Sequence, residues 1–489
     1  MKCKLVIVFF WISLPLASQT KFPWEKIRPE IRSIVDKIAE FDVIPSIALE
    51  FDGTLSEQYD NMLALRSATR EELILLTTCP IPVVRCIALQ AMTNDKEADL
   101  LGLILEHLHD EETVGIKSGC SPYNKRVGDV FIDIANGFYS IAKSHKLDSI
   151  EIAFLDSVLV FSKNNLKAKA SALLRIQPKP QYYDQIKNLA KKRKNPAAIV
   201  ALAKYKHASD LKYFFRHMYF YKQFPESTNY LFAAIKEFPH PDLFHYLVYS
   251  FEEIKWDDHA SDFWNSLTGA ILEYRTKVSE EILIAQLEEF YFHVNSPFIA
   301  RAILENLTLN TYPEYNNLMW YLWEKKGITS LKIVKYLSSL DYARTVEIAK
   351  HSLMQINFFF VSNLRYTLNS TFSTAELIEE LYEMVHKTDA ECAKEIVRSN
   401  FKFAYPDLFA IYYNLALKNP QTEYVSTLLN RLEIETQWNV ILSIVRLLLH
   451  YENEEIDSAI KETLNKNQNP KIGWGEKDVK EILKAHNLE

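Results

Sequence analysis

Glu106-His107-Leu108-His109-Asp110 gathers imidazoles and carboxylates, the donors that hold divalent metals. A zinc-binding helix sets its two histidines four residues apart on one face. His107 and His109 are two apart and point to different sides. The tract reads as the polar C-terminal end of a helix, and no metal site is expected. Trp256-Asp257-Asp258-His259, with Trp264 close by, joins carboxylates to indole faces that can stack on a sugar. In a closed α/α toroid, two carboxylates across a cleft would hydrolyse a glycosidic bond, their separation setting a retaining or inverting outcome. The same acids also suit the first turn of a helix, where negative charge is favourable.

Ser118-Gly119-Cys120-Ser121-Pro122-Tyr123-Asn124-Lys125-Arg126 is rich in turn formers and reads as an ordered loop. Loops on a rigid scaffold often make the contacts that matter, so Cys120, Tyr123, Lys125 and Arg126 are binding candidates. The plain alternative is an inter-repeat connection closed by Cys120, with Cys79 or Cys86 as its possible partner. Phe290-Tyr291-Phe292 and Phe358-Phe359-Phe360 fall inside helical segments and are expected to bridge layers of a core. Met319, Trp320, Tyr321 and Trp323 cover so much of one helix that a ring is expected to face outward. Trp320 and Trp256 join the binding candidates as contacts for a peptide or glycan.

No G-x-G-x-x-G, no phosphate-binding G-x-x-x-x-G-K-[ST] and no G-x-S-x-G occurs, so no cofactor is expected. The formal charge of −7 gives no electrostatic case for a nucleic-acid partner. The basic run Lys191-Lys192-Arg193-Lys194 suits the C-terminal end of a helix. Lys2 and Lys4, the apolar stretch Leu5 to Leu16 and the small-residue site Ala17-Ser18-Gln19 read as a leader over residues 1–18. The mature chain is then expected to be exported and soluble, periplasmic or extracellular, with a retained signal anchor as the alternative. Cys79, Cys86, Cys120 and Cys392 would remain, too few in so long a chain for a disulfide scaffold.

The elements that must position these groups are helices. Residues 22–48 carry an amphipathic helix with Ile27, Ile31, Ile34, Val35 and Ile38 on one face, and Pro29 suits its first turn. Thr69-Arg70-Glu71-Glu72 is a cap followed by Glu at N3, opening a short helix that Pro80 and Pro82 end. Pro82-Val83-Val84-Arg85, then Ala88 and Ala91, resembles the second helix of a HEAT repeat. That resemblance implies that Val84, Ala88 and Ala91 pack between helices while Arg85 reaches toward the turns of adjacent repeats. The aspartate usual in the preceding turn is absent, so the usual bracing of turns is not implied. Together with Gly53-Thr54-x-Ser56-Glu57-Gln58-Tyr59 and the Ser118-Gly119-Cys120 loop, this unit also resembles uncharacterised exported HEAT-like proteins of Bacteroidetes. That likeness implies a source and no activity.

From Gln177 the texture changes to aromatic-rich helices. Hinges at Pro196, Pro241, Pro297, Asp341, Asp389 and Thr436 lie 45, 56, 44, 48 and 47 residues apart, a period that fits two helices and their turns. The expected fold is an all-α, HEAT-like solenoid, an α/α superhelix of paired antiparallel helices. It has an N-terminal region at 19–176 and a divergent array at 177–489. The expected function is a non-catalytic exported scaffold that binds another protein or peptide. The alternative is a glycan-binding or glycoside-hydrolysing α/α protein.

Overall fold

The computed structural model describes residues 22–45, 56–118, 121–138, 144–192, 195–221, 228–254, 261–289, 296–354 and 374–488. The leader-like start, Gly53, Cys120, the end of the basic run at Arg193-Lys194, Trp256 to His259 and both phenylalanine-rich runs lie outside them. The described residues form α-helices joined by short turns, with one three-stranded sheet, which places the chain in the all-α helical-repeat class. The chain divides into two compact units, Met1–His217 and Met218–Glu489. The change of texture at Gln177 falls within the first.

In the first unit, the helix Pro29–Phe41 starts with Pro29 at its first position and buries Ile31, Val35 and Ile38. It stops short of Ala48 because Asp42 takes a left-handed φ of 46°, and Val43–Pro45 leaves as strand β1. Val43 and Ile44 are β-branched, and Pro45 has no N–H for a continuing helix. Thr69 and Glu72 form the expected capping box on Arg70–Leu76, each side chain accepting from the other's backbone N–H at 3.2 and 2.8 Å. Pro82–Met92 follows, with Val83 through Met92 all buried. Cys79 and Cys86 are buried free thiols.

Arg85 does brace turns, with one partner upstream and two downstream. Its Nη1 donates to Cys79 O at 2.8 Å, its Nε lies 3.0 Å from Asp110 Oδ2, and its Nη2 lies 2.8 Å from Glu112 Oε2. The stretch expected as a loop is instead a hairpin: β2 (Thr113–Ser118) pairs antiparallel with β3 (Ser121–Arg126), and β1 lies parallel along β2. Val114 and Ile116 alternate into the core, which pays for extending the backbone. At the hairpin's base Val127 N–H donates to Glu112 O and Gly128 N–H to Asp110 O. A Cβ on Gly128 would sit 2.7 Å from His107 O, so only glycine allows this approach.

Each expected hinge is a helix boundary, but the interval between hinges holds three short helices rather than the two expected. Ser296–Leu309, Asn316–Lys326 and Leu331–Leu340 lie between Pro297 and Asp341, and Ala390–Phe403, Pro406–Lys418 and Tyr424–Ile434 between Asp389 and Thr436. Pro196 precedes Ala197–Ala203, Pro241 opens Pro241–Ile254, and Ser296-Pro297 opens Ser296–Leu309. Asp341 separates Leu331–Leu340 from Tyr342–Met354. Asp389 caps Ala390–Phe403 by accepting from Cys392 N–H at 3.0 Å, and Thr436 precedes Trp438–Leu449. Within the second unit, helices two apart in sequence pack side by side. Thr228–Glu237, Ser261–Leu272 and Ser296–Leu309 do so, as do Ala390–Phe403, Tyr424–Ile434 and Glu454–Lys466. Pro406–Lys418, Trp438–Leu449 and Glu476–Ala485 repeat the arrangement. Each pair thus buries its apolar faces on its neighbours.

Hydrogen bonds between successive pairs fix the turns. The last carbonyls of a helix lack partners within it, so donors must come from elsewhere. Tyr315 Oη donates to Leu272 O at 2.9 Å, Asn400 Nδ2 to Leu353 O at 3.0 Å, and Asn467 Nδ2 to Leu432 O at 2.7 Å. Tyr205, Tyr274 and Tyr451 hydroxyls donate in the same way to the turn carbonyls of Lys179, His240 and Gln421. Four tyrosines thus serve this purpose.

Candidate functional site

The hairpin carries three of the residues singled out for binding. Tyr123 is 43% exposed on β3. Lys125 Nζ is paired with Asp133 Oδ2 on the helix Val127–Ala135, where burial pushes the Asp133 carboxyl up against the opposing pull of the ammonium. Arg126 donates to Asn165 O. Both cations are therefore committed within the unit, fastening the hairpin to its neighbours. The histidine tract behaves likewise: His107 is buried, its Nδ1 lies 3.2 Å from Asp110 Oδ2, and its ring is 4.4 Å from that of Phe131. Among the described residues no cluster of three or more His, Cys, Asp or Glu could hold a metal.

The tryptophans change the picture more sharply. Trp264, considered as a sugar platform, is fully buried against Phe251 and Phe263. Trp320 is buried too, with the Arg344 guanidinium 4.2 Å over its ring and Trp323 stacked alongside at 6.3 Å. Met319 and Trp323 are also buried, and Trp323 Nε1 donates to Ser352 Oγ at 3.1 Å. The helix Asn316–Lys326 can bury rings on several faces because Lys277–Glu289, Ser296–Leu309 and Leu331–Leu340 all pack on it. Only Tyr321 of that cluster is half-exposed.

A cavity of 600 Å³ opens in the first unit between the chain before Pro29–Phe41 and the helix Arg70–Leu76. The Arg28–Glu72 pair in its wall is internal. Arg28 holds Glu72 with its Nε and Nη2 at 2.9 to 3.1 Å, and this keeps the Glu72 carboxyl down at about 2. Lys26 and the half-exposed Ile74 complete the mouth.

The second unit holds a surface that no single stretch of sequence announces. Three consecutive helix pairs end in turns at 403–405, 434–437 and 467–475, and each turn leaves large apolar side chains in water. Phe403 is 68% exposed, Tyr405 45%, Ile434 64%, Ile472 56% and Trp474 71%. The backbone beneath them is laced together. Arg431 Nη1 donates to Lys402 O at 2.6 Å and its Nη2 to Ala404 O at 3.3 Å, while Nε pairs with Glu435 at 2.6 Å. Asn469 Nδ2 donates to Ile434 O at 3.0 Å. Ile472 N–H donates to Thr436 O at 2.8 Å, and Trp438 N–H returns to Ile472 O at 3.0 Å. Trp474 stands between Gly473 (φ 88°) and Gly475 (φ 111°), and a Cβ on Gly475 would meet the Trp438 backbone at 3.3 Å. The glycines let the loop turn closely enough to present the indole.

No family model, no curated protein and no solved structure matches this chain. Among the described residues, no helix is long and apolar enough to cross a membrane.

Proposed function

We propose that this chain is a non-catalytic helical scaffold that binds another protein, and that the turn edge formed by Phe403, Tyr405, Ile434, Ile472 and Trp474 is its binding surface. One observation carries the reading: large apolar side chains stand in water on turns locked by hydrogen bonds between successive helix pairs. A rigid aromatic anchor loses little freedom on binding, and a few such anchors supply most of an interface's energy. The leader-like stretch from Lys2 to Ser18 supports a location outside the cytoplasm, periplasmic or extracellular.

Trp474 also offers an indole face on which a sugar ring could stack, so the test needs a glycan arm. The full chain and its Ile434→Ser/Trp474→Ser variant would be immobilised and exposed to cell-envelope extract, with and without soluble polysaccharide. Loss of specific protein capture in the variant, unaffected by polysaccharide, is the expected result. Capture that is the same for both chains would sink the reading, and capture competed away by polysaccharide would select the glycan alternative.

A further inference from the structure

We propose that the partner of this edge is a second copy of the chain, the two edges meeting around a two-fold axis. This inference rests on the protein-binding reading above and specifies its occupant. At the exposures observed, the five side chains present apolar area on the order of 600 Å². That is at the upper end of what monomers leave in water, about 300–600 Å². Two such edges together would bury roughly 1,200 Å², which clears the ~1,000 Å² expected of a specific interface.

Electrostatics allows the self-pairing. Although the chain carries a formal charge of −7, several charged groups at the edge are paired internally, and the exposed Lys402 and Asp407 beside Phe403 and Tyr405 are opposite in sign. Arg431 pairs with Glu435, Lys466 with Glu462 and Lys480 with Glu476, at 2.6 to 2.7 Å. Lys471 donates to the carbonyls of Asn467 and Asn469. Two copies can therefore approach without setting these charges against one another.

The adjoining surface disfavours the other mode of self-association. Helix Glu476–Ala485 buries Val479 and carries Glu476, Lys477, Asp478, Lys480 and Glu481 besides. Head-to-tail stacking on this helix would desolvate charges. An edge beside it that pairs with itself closes after two copies, because each edge is consumed by the other.

The test uses the full chain. Sedimentation across a concentration series should give a particle of twice 56.9 kDa for the unprocessed chain. Trp474→Ser and, at a separate turn, Ile434→Ser should each weaken the dimer about thirty-fold, the loss typical of a hot-spot residue. Helical circular dichroism should stay unchanged in both. In parallel, Trp474 is replaced by p-benzoylphenylalanine and irradiated in the producing cell. Crosslinks between copies of the chain are expected. A monomer at every concentration whose crosslinks go only to other proteins would overturn the dimer and leave the protein-binding reading standing. A monomer that crosslinks to nothing would overturn both.

Discussion

In the β2–β3 hairpin, Lys125 and Arg126 are used up on Asp133 and on the Asn165 carbonyl, and Val114 and Ile116 are in the core. In the turns at 403–405, 434–437 and 467–475, polar side chains again hold the backbone, but the large apolar ones remain in water. The hairpin is conspicuous in sequence, but it buries Val114 and Ile116 and spends its cations on internal partners. The turn edge is the reverse. A candidate surface is thus marked by what stays exposed after internal partners are satisfied, rather than by an unusual local composition.

The hardest blow to this contrast would come at the base of the hairpin. Arg85→Met removes a buried guanidinium and leaves Asp110, itself mostly buried, with only His107 as a side-chain partner, beside Glu112 and the Cys79 carbonyl. Breaking such a pair should cost about 3 kcal/mol of unfolding free energy, measured by chemical denaturation. A loss below about 1 kcal/mol would mean that the pair contributes no more than a surface one, and would reopen the hairpin as a loosely held binding arm.

Alkaline pH separates the two units next. Burial pushes the Tyr315 phenol up to about 12 from its usual 10, and pushes Tyr274 and Tyr424 in the same direction. Below pH 10 the folded and unfolded chains both keep these protons, so the full stability is present. As pH rises from 10 through the folded value, the unfolded chain releases protons first and stability is lost, on the order of 2–3 kcal/mol for Tyr315 alone. Tyr205, in the first unit, is raised as well but lies nearer the surface. Limited proteolysis between pH 10 and 12 should therefore cut the second unit first. Earlier cleavage in the first unit would contradict this ordering.

Arg431→Met tests the lacing of the edge itself. It deletes the hydrogen bonds to Lys402 O and Ala404 O and leaves the buried Glu435 with only its backbone donors at Thr436 and Gln437. A loss of about 1–2 kcal/mol is expected, together with faster amide exchange at 403–405 and 434–437. Unchanged exchange there would show that the turns are held by packing alone.

The helix boundaries at the hinges were legible because they have local chemistry, whereas the number of helices between hinges, three and not two, was not. Pro241 and Pro297 can open a helix but not continue one, Asp389 caps one, and Thr69 with Glu72 forms a reciprocal cap. The hairpin was misread although its signal is present: Val114 and Ile116 alternate with Thr113, Gly115 and Lys117, and the dipeptide Gly119-Cys120 in the sequence begins with glycine. Turn-forming composition obscured that period of two. The ring cluster at Trp320 was misplaced for another reason, since helical periodicity cannot say how many neighbours a helix has. The turn edge was not legible at all. Phe403, Ile434 and Trp474 are ordinary residues some 30 to 40 positions apart, and only the stacking of pairs brings their turns into register.

The smallest effect on stability is also the sharpest test of the comparison. Tyr123→Ser and Trp474→Ser each remove an exposed aromatic ring from a well-held backbone, one from the hairpin and one from the edge. Neither ring is buried, so both variants should unfold within about 0.5 kcal/mol of the parent chain. Their difference should appear in association alone, where Trp474→Ser weakens self-pairing and Tyr123→Ser leaves it intact. If Tyr123→Ser weakens association equally while stability holds, the commitment of Lys125 and Arg126 to internal partners does not disqualify the hairpin as a surface. Exposure at a single ring would then outweigh the clustering of five.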